Sequence, residues 1–372
     1  MADTGRLSFP YMFWAHAESF RSPYCLAQSG MPLPAAEWLA LDASEVLAHP
    51  ALEAQPALEA RLAELFGISP ARVLVTLGAS GAQHLCAARW FAAENRVALE
   101  HPSYEALRAH AGRSRARVFE LPRELEAGWT LDPERLAALA DAHSTPLHLV
   151  LTNPHNPSGA VLDAATLRAL ASALEPSGGV LLCNEAYMEY APPSQRLHAA
   201  TLAPNAVSIG TLTKAYGLGP LRLGWLLFGE GLESERERLL DLAYLTWLEP
   251  PTASLVLARR ALDHLPDLLR PVRRIEATSR PHLVRWLRES QAVEAHVPPF
   301  GILSFPRVRG VRDTRALQQM LAQEFEVDVV AGEHFGAPGY LRVSCGVPEA
   351  TLVEGLVRLE DGLRTYLERG GS

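Results

Sequence analysis

Between Arg72 and Trp225 the sequence alternates short apolar runs with segments of helical period. RVLVTLG precedes GAQHLCAARWFAAE, RVALE precedes YEALRAHAG, RVFEL precedes LDPERLAALADA, and PLHLVLTN precedes DAATLRALASALE; GGVLLCN, AVSIGTL and RLGWLLFG complete the series. Near-continuous apolar strands separated by helices call for a parallel sheet buried on both faces. The pattern therefore predicts an α/β large domain of three layers with a mostly parallel sheet. RLGWLLFG follows its neighbour with no helix between, so it is expected to run antiparallel. From Leu255 to Gln291 the chain is helix-rich, with Pro266, Pro271 and Pro281 as breaks or kinks. GILSFPRV, RDTRALQQMLAQEF, VDVVA, YLRVSC and ATLVEGLVRLEDGLRTYLE then read as strand, helix, two strands and helix, a smaller α+β C-terminal domain. The expected division is an N-terminal arm over 1–45 associated with the small domain, a large domain over 46–270 and a small domain over 271–372. The aromatic arm (Phe9, Tyr11, Phe13, Trp14) is expected to pack on a domain or on a partner subunit.

Composition narrows the function classes. A net charge of -8 argues against a general nucleic-acid binder, which needs a basic face. No apolar run reaches the ~18–20 residues that span a bilayer, and MADTGRLSFPYMFW lacks the basic and apolar regions of a secretory signal. Cys25, Cys86, Cys183 and Cys345 are scattered, with no paired or metal-ligand spacing. A cytoplasmic protein with reduced thiols and no metal, membrane or nucleic-acid partner is the expectation.

One count bears directly on chemistry. Of 34 basic residues only one, Lys214, is a lysine. Chemistry that needs a primary amine cannot use arginine, which stays protonated. Lys214 lies in GTLTKAYGLGPLRLGW, where ligands of an open parallel sheet bind, beyond the carboxyl ends of strands. Three other unusual stretches fall at such ends. VTLGASGAQ puts Gly78, Ala79 and Ser80 at the start of a helix, whose free N–H groups suit a phosphate, although Ser is also an ordinary N-cap. LTNPHNPSG holds Asn156 between two prolines, a rigid turn. CNEAY carries an apolar strand straight into Asn184, Glu185 and Tyr187.

Taken together these stretches resemble, over nearly the whole chain, the class I and II pyridoxal-phosphate-dependent aminotransferases of fold type I. NPHNPSG is similar to that family's N-P-x-N-P-T/S-G, TLTKAYGLGPLRLGW to its S-x-S/T-K-x-x-G-L-x-G-x-R-x-G, HPSYEAL to its P-x-Y segment, and HFGAPGYLRVSCG to its F-G…G-Y-L-R-I-S. The resemblance implies pyridoxal 5'-phosphate as cofactor, held by Lys214 as a Schiff base, with Lys214 then moving a proton at the substrate Cα. It implies Arg222, Ser80, Thr211 and the Ala79 and Ser80 amides on the phosphate, and Tyr104 on the ring face. Asn156 and Tyr187 are implied at the phenolic oxygen, Arg342 on the substrate α-carboxylate, and Gly30 near that carboxylate. The implied partners are an amino acid, a 2-oxo acid and a second copy of the chain in a homodimer.

Two positions depart from the family pattern. Where the family has an aspartate that keeps the pyridine nitrogen protonated, this chain has Asn184. A neutral amide either donates to an unprotonated nitrogen or accepts from a protonated one without balancing its charge, and a buried pyridinium without a counter-charge tends to lose its proton. Loss of ~3–4 kcal/mol of transition-state stabilisation would slow the reaction on the order of a few hundredfold. Glu185 is not a substitute, because adjacent strand residues point to opposite faces. The family's partner-reaching tyrosine, upstream of PALEARLAELFG, is also missing. His49 is the nearest polar candidate, and Leu58-Glu59 stands where Leu-Arg is common. Three readings follow: an aminotransferase, an elimination, replacement or cyclising enzyme using the same site, or a non-catalytic binding protein of the same fold.

Overall fold

The computed structural model describes residues 9–17, 21–34, 37–42, 44 and 51–371. Seven strands form one sheet in the order Val73–Thr76, Gly224–Phe228, Ala206–Thr211, Leu181–Asn184, Leu147–Thr152, Arg96–His101, Arg117–Pro122. All neighbours are parallel except Gly224–Phe228, which runs antiparallel to both strands beside it. That is the orientation its short connection requires, since a parallel return needs a crossover.

Alternation along each strand builds the two outer layers. Val97, Leu99, Val150, Leu182, Val207 and Ile209 pack on one face with Leu85 and Leu107 of the helices Gly78–Trp90 and Glu105–Arg113. Ala98, Leu149, Leu151, Leu181 and Cys183 face the other way, against Leu136, Leu167 and Leu170 of Pro133–Asp141 and Ala164–Leu174. The last two helices start where the sequence provides caps: Asp132 accepts from the Glu134 amide and Asp163 from the Thr166 amide. A fully buried leucine is worth about 1.5–3 kcal/mol over an exposed one, so two packed faces hold the strand ends rigidly.

The remainder departs from the sequence expectation in its details. The helical run breaks into Thr252–Asp263, Leu265–Leu268, Arg270–Ala277 and Ser279–Glu289; Pro266 and Pro271 sit in first turns, where their missing N–H costs nothing. VDVVA is two strands in two sheets. Val327–Asp328 pairs with Tyr24–Cys25 near the N-terminus, and Val330–Ala331 pairs with Leu341–Ser344. At the first pairing Asp328 also accepts from the Ser22 hydroxyl at 2.8 Å. GILSFPRV likewise divides into Leu303–Ser304 and Arg307–Val308, with Pro306 between them. Among the described residues no helix is long and apolar enough to cross a membrane.

Candidate active site

Five sheet strands deliver the four unusual stretches and HPSYEAL to one edge. Thr76, His101, Thr152, Asn184 and Thr211 end the strands, and Gly78, Tyr104, Asn156, Tyr187 and Lys214 follow within three residues or four. Thr152 and Asn184 stand side by side in register, and Ile209 is Asn184's partner on the next strand.

Lys214 is the centre of the cluster. Its Nζ donates to Ser29 Oγ at 3.0 Å and lies 5.7 Å from the centre of the Tyr187 ring. Burial removes the ammonium from water, and Arg342 and Arg222 add like charge against the pull of Tyr11, so its pKa falls to about 8. The segment Ala27–Met31 runs over the lysine. Met31 N donates to the Lys214 carbonyl, Ser29 O accepts from the Tyr187 hydroxyl at 3.1 Å, and a Cβ on Gly30 would stand 3.2 Å from Thr213 O. Gly30 therefore lies against the lysine loop, whereas the arginine is touched by Ala27, whose carbonyl accepts from Arg342 Nη2 at 3.2 Å. Burial pushes the Tyr187 phenol well above the usual tyrosine range, so it stays protonated.

Residues that could cradle an anion lie near the lysine, whose ammonium feels the charge of Arg222. The helix Gly78–Trp90 begins without a side-chain cap, so its first N–H groups remain open. Gly78 has a φ of +66°, and a Cβ there would stand 3.0 Å from Arg222 Nη2. A Cβ on Gly224 would lie 2.6 Å from the Gly78 carbonyl carbon and 2.8 Å from Ala79 N, so only glycine lets the helix start approach the sheet. Ser80 is exposed at this end. Thr211 bonds to Thr213 Oγ1 and to Leu223 O, and Thr213 N donates back to it.

Asn184 is buried, and its Oδ1 accepts from Ala186 N at 3.1 Å. That bond fixes the amide: Nδ2 is the free end, a donor with no partner among the described residues. Glu185 turns to the opposite face, as alternation demands. It accepts from Ala199 N and Ser208 Oγ at 2.7 Å and pairs with His198 at 2.6 Å. Asn156 receives Arg342 Nη1 on its Oδ1 at 3.2 Å and is held by Thr152 Oγ1, which in turn bonds to the buried Glu100. Glu100 and Arg123 form a fully buried ion pair at 2.8 Å beneath this loop.

Arg342 is almost completely buried, with its Nε unpartnered. Its Nη2 donates to the Tyr11 hydroxyl at 3.0 Å, and its guanidinium stands 5.2 Å from the Phe335 ring. Tyr104 stands edge-on to Tyr11, ring centres 6.3 Å apart. Tyr11 and Ser29 were not singled out as site residues by sequence. Ser29 is adjacent to the flagged Gly30, but nothing local marks Tyr11. His49 lies outside the described residues. Glu59 pairs with Arg236 at 2.6 Å and accepts from Val75 N, so it braces the sheet.

The cluster fits a pyridoxal phosphate: a buried amine of lowered pKa, an open helix start with an arginine beside it, and a free amide donor on the adjacent strand. The sequence model of the family described as "Aminotransferase class I and II" matches residues 24–359. Capreomycidine synthase of Streptomyces vinaceus is 31% identical over 79% of this chain and 75% of its own length. Histidinol-phosphate aminotransferase of Haloferax volcanii is 28% identical over 79% of this chain and 76% of its own. Among solved structures, a PLP-dependent aminotransferase from Streptococcus suis superposes with a TM-score of 0.85 at 23% identity, covering 97% of this chain and 99% of that one. The PLP-dependent cyclase OrfR superposes with a TM-score of 0.80 at 24% identity, covering 98% and 97%.

Proposed function

The chain belongs to the aminotransferase class I and II family, with pyridoxal 5'-phosphate as cofactor, and from that premise we propose that it moves an amino group between an α-amino acid and a 2-oxo acid through Lys214. The observation that carries this reading is the position of the only lysine in the chain, at the meeting point of Ser29, Tyr187 and the anion cradle. When bound, the cofactor supplies an aldehyde for the amine and a ring that withdraws electrons from the substrate Cα. With a pKa of about 8, roughly a tenth of the Lys214 amine is neutral at pH 7, about 300-fold more than for an ordinary lysine. Only the neutral amine could hold such an aldehyde, and Lys214 would be placed to carry the proton at the substrate Cα.

The other roles follow from the donors available. Gly78, Ala79 and Ser80 amides, Arg222, the Ser80 hydroxyl and Thr211 would hold the phosphate. Tyr187 and Asn156 Nδ2 would donate to the phenolic oxygen, and Tyr104 would cover the ring. Asn184 Nδ2 would donate to the pyridine nitrogen, which is then unprotonated. Arg342, with a free Nε and a rigid guanidinium fork, would bind the α-carboxylate.

A second reading, cyclisation or elimination at the same site, is favoured by one observation. Capreomycidine synthase of Streptomyces vinaceus, not itself named a transaminase, is 31% identical over 79% of this chain. We also infer a cytoplasmic homodimer. Tyr244, Leu245 (82% exposed) and Leu248 (65% exposed) form an apolar surface beside Trp247, whose ring would stand 3.3 Å from a Cβ on Gly81 in the phosphate helix. A second chain there would close the exposed cradle.

The test is direct. Purified protein given pyridoxal phosphate should absorb in the visible and lose that band on Lys214→Ala; a colourless wild type would sink both catalytic readings. A panel of amino acids then separates the two. Conversion of bound cofactor to its amine form marks transamination, and release of ammonia or a ring-closed product marks the alternative.

A further inference from the structure

Tyr11 is brought to Arg342 from 331 residues away. Its helix, Pro10–Ala17, is docked through the Tyr11 amide, which donates to both carboxylate oxygens of Glu105 at 3.2 and 3.1 Å. The ring is enclosed by Trp14, Tyr104, His334 and Phe335, with centres 5.7–6.3 Å away. So many contacts leave the hydroxyl little freedom. Its oxygen accepts from Arg342 Nη2, which leaves the phenolic proton as a donor with no acceptor among the described residues. Arg342 Nε, also buried, has no acceptor either. Two adjacent unpaired donors in a buried site call for an anion with two acceptor atoms. Among the described residues, Asn156 Oδ1 and Ala27 O already receive the Nη1 and Nη2 atoms of Arg342.

We propose that Tyr11 is a substrate-binding residue, donating its phenolic proton to the α-carboxylate held by Arg342, so that the N-terminal helix forms one wall of the carboxylate site. The proposal rests on the reading of Arg342 as the carboxylate clamp. It also carries a pH signature. The charged and titratable groups around the phenol are Arg342, Lys214, Glu105, Tyr104, Tyr187 and His334. Burial raises the phenol's pKa, while Arg342 and, in the cofactor-free chain, a protonated Lys214 pull it down; the Lys214 charge is lost above about pH 8, which leaves Arg342 as the lasting opposing charge. Once the proton is lost the phenolate repels a carboxylate, so recognition should weaken at alkaline pH.

The experiment avoids the unknown substrate side chain. The holoenzyme is mixed with aminooxyacetate, which carries a carboxylate, or with methoxyamine, which does not, and the reaction is followed by the absorbance of bound cofactor. The ratio of the two second-order rate constants measures carboxylate recognition. Wild type should prefer aminooxyacetate. Tyr11→Phe should cut that preference about tenfold, as expected for one hydrogen bond to a charged group. The wild-type preference should also fall as pH rises toward 10, and Tyr11→Phe should lack this fall. Arg342→Gln, with melting temperature measured alongside, separates the two layers of the argument. If Arg342→Gln abolishes the preference while Tyr11→Phe leaves the preference and its alkaline fall intact, the Tyr11 assignment is overturned and the clamp stands. If wild type shows no preference, the clamp reading falls and the Tyr11 proposal with it.

Discussion

Replacing Asn184 by aspartate puts a charge at the end of the strand Leu181–Asn184, where we propose that the cofactor ring lies. In the wild type the amide is locked by the Ala186 N–H on its Oδ1 at 3.1 Å, so only a neutral N–H faces outward. An aspartate keeps that bond with one oxygen and presents the other in place of Nδ2. Facing a pyridine nitrogen, the carboxylate holds a proton there and turns a neutral hydrogen bond into a charge-assisted one. If the gain at the transition state is ~3–4 kcal/mol, transamination accelerates on the order of a few hundredfold. The assay is a single-turnover half-reaction, following the absorbance of bound cofactor with an amino donor found by screening. The same substitution makes a second prediction without substrate. A carboxylate buried with only one partner costs about 1–3 kcal/mol, so cofactor-free Asn184→Asp should melt below wild type, and added pyridoxal phosphate should recover more stability than it does in wild type. Equal or slower half-reaction rates would refute the account of Asn184 as a lost electron-sink partner.

Three further outcomes are expected. Cofactor capture by apo-protein needs neutral Lys214, so its rate should rise with pH and level off above about 8, not above the 10.5 of a free lysine; stopped-flow absorbance measures it. Gly224→Ala forces a Cβ to 2.6 Å from both Gly210 O and the Gly78 carbonyl carbon, so it should weaken pyridoxal phosphate binding at least tenfold, read by fluorescence titration. Glu185→Gln should destabilise the fold by about 1.5–3 kcal/mol through its loss of charged bonds, and with a distinctive pH dependence. Burial opposes a charge on His198, but Glu185 and Glu189 outweigh it and raise its pKa above 6.5. This stabilisation is complete below 6.5 and is lost as pH rises through the raised value. The variant should therefore lose more stability at pH 6 than at pH 9 in thermal melts.

The sheet and its site edge were legible because the signals are local. A strand such as LHLVLT is buried throughout, reads as a continuous apolar run, and ends at a turn whose residues are adjacent in sequence. The same locality placed Asn156, Tyr187 and Lys214 on one edge once parallel strands were inferred. VDVVA was misread as one strand for the complementary reason. Its two halves pair with strands far apart in sequence, Tyr24–Cys25 and Leu341–Ser344, and no periodicity within five residues reports those partners.

Tyr11 and Ser29 show the same limit at the site. The sequence marks Tyr11 only as one aromatic among Phe9, Phe13 and Trp14, and its partner Arg342 lies 331 positions downstream. Ser29 meets Lys214 across 185 positions. Asn184 is the intermediate case. The departure from aspartate is visible in the sequence, but its chemical meaning was open, since an amide can donate or accept. The choice is made by a neighbouring group that no motif contains, the Ala186 N–H, which takes Oδ1 and leaves Nδ2. A single backbone hydrogen bond thus leaves Nδ2 as the free end of the amide, and under the proposed placement of the cofactor that end would offer the ring nitrogen a donor, which suits an unprotonated ring.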